Sequence, residues 1–244
     1  MKRYLRAFAM CQSMFCALPC PWQVWDEEAR PLMLAFLPLV GLEIGLLWAG
    51  LAWLCGALGL PGAVTAFLLC ALPFAVTGHI HLDGFMDVTD AVRSCRSPER
   101  RREILKDPHV GSFAVIGCVL VIAGQLACFA AGRGDIRVLI VLPVFSRCMS
   151  AAAVTCLPAM GTSQYAGGTR RGPVLWAAGL FAAGAMGAAV LLCGRYVLCL
   201  AALAAGYGLA LRRAYVSLGG MNGDIAGYAL TVGELAALLL YAIL

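Results

Sequence analysis

Seven runs of mostly apolar residues, near 32–58, 61–80, 112–131, 136–157, 173–193, 196–211 and 225–244, leave this chain few ways to fold. A helix rises about 1.5 Å per residue and the hydrocarbon core of a bilayer is about 30 Å thick, so about twenty apolar residues cross it. Inside that core each backbone N–H and C=O must be paired within the protein, which a helix achieves locally. With 62% hydrophobic and 13% charged residues over 244 positions, the chain is too apolar for an ordinary soluble domain. The expectation is all-α: a polytopic integral membrane bundle of about seven transmembrane helices, forming one domain over residues 1–244. The sixth run is short, and the fourth carries Pro143 and Arg147. The opening MKRYLRAFAMCQSMFCALPCPWQVW has the basic start and short apolar run of a signal peptide but no convincing small-residue cleavage site. Pro19, Pro21 and Trp22 favour an interfacial helix instead.

The charges assign a side to each loop. Of the 18 basic residues, 14 fall at the N-terminus, in the 93–106 loop, and at Arg30, Arg170, Arg171, Arg212 and Arg213, all on one side of the spans. Arg133, Arg137 and Arg195 lie on the other, and Arg147 lies within a span. The positive-inside rule puts the basic side in the cytoplasm. The net charge of +5 is explained by this orientation, and no basic stripe with interleaved aromatics points to nucleic acid. Twelve cysteines are scattered through apolar runs without metal-ligand spacing, which makes them small packing residues.

Against that background, HIHLDGFMDVTD (79–90) is an anomaly. Asp83, Asp87 and Asp90 are four and three residues apart, within an arc of about 60° on one helix face. His79 widens the arc to about 80°, while His81 points to nearly the opposite side. Carboxylates so placed repel one another, and a bound divalent cation relieves that conflict because magnesium prefers carboxylate and phosphate oxygens. The plainer alternative is a solvated acidic helix end. Ser97 followed by Pro98 predicts a helix start, and Asp107 before Pro108 predicts where that helix stops. Arg102 and Lys106 on it could receive phosphates or simply face anionic lipid. Arg147 needs a partner or a polar cavity within the membrane, as do Glu43 and Glu234. In SLGGMNGDIAG, Gly220 and Gly223 allow close approach of a ligand, and Asp224 serves as an acid, a metal ligand or a helix cap. GLEIG (41–45) reads as a helix-packing stripe.

HLDGFMDVTD, RRREILKDPHVGSFAV and GGMNGDIAGYALTVGEL together resemble the cobalamin synthase family, the adenosylcobinamide-GDP ribazoletransferases. That family's pattern is close to H-L-D-G-L-x-D-x-x-D-G, then M-K-D-x-x-x-G-x-F-G, then G-G-x-x-G-D. ALPCP, LPLVGLEIG and FSRCM extend the likeness over the chain. Ala91 stands where the first motif ends in glycine, and Gly78 and His79 where two glycines are usual. The resemblance implies a transferase in the cytoplasmic (inner) membrane of a bacterium or archaeon, its active site facing the cytoplasm. It would join adenosylcobinamide-GDP to α-ribazole or its 5′-phosphate and release GMP. Asp83, Asp87 and Asp90 would bind Mg²⁺, and His81, Asp107 or Asp224 would be the general base. Arg147, Arg102 and Lys106, with Gly220 and Gly223, would contact substrate. A homo-oligomer is left open. A lipid head-group enzyme akin to the CDP-alcohol phosphotransferases is the main alternative, and a membrane transporter a weaker one.

Overall fold

The computed structural model describes residues 2–22, 24–132, 134–161 and 169–244. Arg133, counted above among the basic residues of the opposite side, and most of the GTSQYAGGT stretch (162–168) lie outside them. The described residues contain helices and no strand beyond one isolated bridge between Ala159 and Met221. The helices are α1 (Lys2–Phe15), α2 (Leu37–Ala57, entered through a 3-10 turn Arg30–Phe36), α3 (Gly62–Val76), α4 (Ile80–Arg93) and α5 (Pro98–Ile104), followed by α6 (Ser112–Ala130), α7 (Val138–Cys156), α8 (Arg171–Leu192), α9 (Leu198–Leu218) and α10 (Gly223–Ile243). Among the described residues six helices are long and apolar enough to cross a membrane, and α3 with α4 make a seventh if the bent pair counts as one span. This is the all-α membrane bundle that the apolar runs predict.

Small residues set the closest helix contacts. A Cβ on Gly41 would come within 2.5 Å of the Pro143 carbonyl oxygen, and one on Gly45 would collide with that of Ile140. GLEIG is therefore the seam along which α2 meets α7. Glu43, between the two glycines, accepts a hydrogen bond of 2.6 Å from Gln12 Nε2 of α1. The N-terminal helix is amphipathic, burying Ala7, Met10 and Cys11 while Tyr4 and Leu5 stay exposed.

The bend between α3 and α4 positions the acids. Pro73 has no N–H to give the Leu69 carbonyl one turn back, and the Trp48 indole donates to that carbonyl instead, at 2.8 Å. Thr77 Oγ1 folds back onto the Pro73 carbonyl. Gly78 and His79 then both adopt left-handed backbone, and the chain turns by 87°. His79 is thus the residue preceding α4 rather than a member of it, so the regular spacing that placed it beside the aspartates does not hold.

Other boundaries also differ from the sequence expectation. Ser97 caps α5 as expected, accepting from the Arg100 N–H, but α5 ends at Ile104, before Asp107. The sixth span runs on to Leu218, which puts Arg212 and Arg213 inside α9 rather than in a loop. Asp224 is not the cap of α10: Asn222 Oδ1 accepts the Ile225 N–H at 2.9 Å, and Asp224 lies in the first turn.

Candidate active site

Three stretches far apart in sequence meet at one end of the bundle, and each meeting point is a glycine. A Cβ on Gly84 of α4 would stand 2.9 Å from the Asp224 Cα, so the first turn of α10 lies directly on α4. A Cβ on Gly227 would stand 3.2 Å from the His81 backbone. Phe85 stacks on Tyr228 with ring centroids 5.5 Å apart, holding the same two helices together. Asp224 is carried in this way to the aspartates of α4. Asp87 faces the like charges of Asp83, Asp224 and Asp90.

Asp90 has a second task. Its carboxylate accepts from the Gly111 N–H at 2.6 Å and the Ala114 N–H at 2.9 Å, capping α6. A Cβ on Gly111 would lie 2.6 Å from that carboxylate. The glycine of DPHVGSF and the last aspartate of HLDGFMDVTD are therefore two halves of one contact. A carboxylate at a helix start also complements the positive end of the helix dipole.

Asp83, Asp87 and Asp224 have no such compensation. Among the described residues none of them forms an ion pair, whereas Asp26, Glu27, Glu103, Asp107, Asp135 and Glu234 each do. Asp224 accepts a hydrogen bond of 2.7 Å from Asn222 Nδ2, which fixes its direction. Asp83 is exposed on a cleft of about 460 Å³ between the end of α1 and the 77–80 bend. Asp224 borders a smaller cavity of about 70 Å³ with His81 and Ser150.

Among the described residues no three His, Cys, Asp or Glu side chains stand close enough together to hold a metal ion by themselves. Magnesium keeps several waters and uses one or two carboxylates together with substrate phosphates. Hard oxygen donors with no basic partner, beside an open cleft, fit that habit, and Asp83, Asp87 and Asp224 are the ones with oxygens to spare.

The remaining candidates sort by position. His81 stacks on Phe15, and its carbonyl accepts from the Thr231 hydroxyl. Its buried Nε2 has no hydrogen-bond partner among the described residues. The ring stands between the Asp224 cavity and a second cavity of about 20 Å³ bordered by Gln125, Arg147 and Glu234. Arg147 is 1% exposed and paired with Glu234, with Ser146 Oγ also donating to that carboxylate at 2.7 Å. Arg102 Nε donates to the Leu218 carbonyl at 2.7 Å and so closes the end of α9. Lys106 is exposed. Asp107 is exposed too, and the His109 N–H and ring hold its carboxyl below the usual carboxylate range. Gly220 accommodates the Met160 backbone, 2.8 Å from where its Cβ would be, and Gly223 borders the Asp224 cavity. Asn222 and the coupling glycines Gly84 and Gly111 escaped the sequence reading. The signals were present: an asparagine two residues before Asp224, and glycines at helical or near-helical positions where alanine would serve better.

Fold and site together define a polytopic helical membrane protein that gathers unneutralised carboxylates at one end of its bundle. Residues 7–242 match the cobalamin-5-phosphate synthase family model, and the chain belongs to that family. It is 34% identical to an adenosylcobinamide-GDP ribazoletransferase of Clostridium perfringens (strain SM101 / Type A), over all of both chains. It is 31% identical to the protein of that name from Clostridium botulinum (strain Alaska E43 / Type E3), over 98% of this chain and 97% of the relative. A relative so named in Desulfitobacterium hafniense (strain Y51) is 44% identical over 45% of each chain. No solved structure matches.

Proposed function

We propose that the protein joins adenosylcobinamide-GDP to α-ribazole, or to its 5′-phosphate, and releases GMP. The supporting observation is that Asp83 and Asp87 of HLDGFMDVTD meet Asp224 of GGMNGD, none of them in an ion pair among the described residues, in a chain that belongs to the family. The reaction exchanges a phosphoanhydride bond for a phosphate ester bond. A ribose hydroxyl oxygen attacks the phosphorus attached to cobinamide, the bond from that phosphorus to the bridging oxygen breaks, and GMP leaves with that oxygen. The hydroxyl proton passes to a base.

Asp83, exposed on the cleft, and Asp87 would hold Mg²⁺, and Asp224 would complete the donor set or take the proton from the attacking hydroxyl. The chemistry that Mg²⁺ would supply there is neutralisation of pyrophosphate charge and stabilisation of the departing phosphate. Asn222 orients Asp224. Asp90 keeps α6 in register with α4, and with it the spacing of the acid patch. His81, enclosed beside Asp224, is a positioning residue in this account. Substrate enters through the cleft between α1 and the 77–80 bend, on which Asp83 is exposed.

A donor comparison tests the reading. Purified protein with Mg²⁺ and α-ribazole should release GMP from adenosylcobinamide-GDP and no CMP from a CDP-alcohol. CMP release without GMP release would transfer the assignment to lipid head-group chemistry.

A further inference from the structure

A groove lies on the opposite side of α4 from the acids. Phe85, Thr89 and Val92 point into it, roughly 180° around the helix from Asp83, Asp87 and Asp90. The groove holds about 300 Å³ between α4, α6 and α10. Its outer wall is Phe113, Ile116 and Leu120 of α6, which are 46%, 56% and 66% exposed. Those side chains face the bilayer if α6 spans it. Gly117 forms the floor, where a Cβ would touch Phe85 and Thr89 at 3.2 Å. From Phe113 to Val121 the wall descends about 12 Å, most of the roughly 15 Å of hydrocarbon in one leaflet.

The rim at the acid-bearing end is basic. Arg93, the last residue of α4, and Arg213, near the end of α9, both line the groove and are exposed. Neither has a carboxylate partner among the described residues, whereas Arg6, Arg30, Arg100, Arg137 and Arg147 each do. Two guanidiniums above a lipid-facing apolar slot match a phosphate head joined to an acyl chain. A free phosphate would use the arginines alone, and a neutral lipid the slot alone.

We propose that this groove binds one anionic phospholipid, its phosphate between Arg93 and Arg213 and an acyl chain along Ile116, Gly117 and Leu120. The site is separate from the aspartate patch and does not depend on the proposed reaction. Each arginine adds attraction for anionic over zwitterionic head groups. Native mass spectrometry of the delipidated full chain in detergent, given equal phosphatidylglycerol and phosphatidylcholine, reads this out. One phosphatidylglycerol per chain should be retained about tenfold to thirtyfold over phosphatidylcholine. The Arg93→Gln/Arg213→Gln variant should hold the two lipids within about twofold of each other. Ile116→Trp fills the slot from the lipid side and leaves the arginines intact, so it should lower retention of both lipids at an unchanged melting temperature. Excess inorganic phosphate should displace nothing. Equal retention of the two lipids by the wild type would overturn the proposal. So would an unchanged preference in the arginine variant, unchanged retention in Ile116→Trp, or displacement by phosphate.

Discussion

Arg147–Glu234 and the Asp83–Asp87–Asp224 patch are both polar clusters in an apolar protein, and they are solved in opposite ways. The first is paired: the Arg147 guanidinium and the Ser146 hydroxyl both donate to the Glu234 carboxylate deep in the bundle, and of the three groups' buried polar atoms Arg147 Nε alone is without a partner among the described residues. Charge cancels there, so the pair needs no counter-ion. The second is left open: like charges are brought together by helix packing at Gly84 and Gly227, with Asp83 on a cleft, and among the described residues Asp83, Asp87 and Asp224 form no ion pair. Self-neutralised charge holds a structure together, whereas charge held against its own repulsion calls for a ligand. That difference keeps the candidate centre at the aspartates and gives Arg147 a partner within the bundle.

The contrast can be broken by substitution. Asp83→Asn and Asp224→Asn preserve shape and remove charge, and each should lower GMP-releasing turnover by about 100-fold or more while the melting temperature holds or rises. Glu234→Gln should act the other way, leaving Arg147 buried without its counter-charge. A loss of about 3–5 kcal/mol in stability is expected from denaturation in detergent. Pairing it with Arg147→Met should restore most of that stability, because the cost lies in the orphaned charge. Asp90→Ala sits between the two behaviours: loss of the α6 cap should cost about 0.5–2 kcal/mol, with Asp90→Asn milder on the melting curve. Cys193→Ala, buried where α8 ends, should leave turnover unchanged. Strong inactivation there would reopen the reading of the cysteines as packing residues.

The sequence makes the membrane bundle legible because apolar runs of span length admit few other structures, and the Ser97–Pro98 start of α5 follows from capping chemistry alone. It makes the α4 acids legible as a face. It does not show that Gly78 and His79 would turn the chain by 87°, since left-handed backbone at a histidine has no compositional signal. Nor does it show which of three functions Asp224 has. Spacing permits a cap, an acid or a ligand, and only the position of Asn222 frees Asp224 from capping. The partner of Arg147 was invisible for the same reason: Glu234 is 87 residues away and reaches it through tertiary packing.

The claim that the open patch is the reaction centre rests most directly on Asp87, which faces all three of the other carboxylates. GMP release from adenosylcobinamide-GDP should be measured against Mg²⁺ concentration for the wild type and Asp87→Asn. The account predicts no wild-type turnover in chelator, saturation as Mg²⁺ is added, and an Asp87→Asn variant that folds normally yet turns over at least about 100-fold more slowly and needs more Mg²⁺. Full turnover in chelator, or an Asp87→Asn variant matching the wild type across the titration, would contradict it.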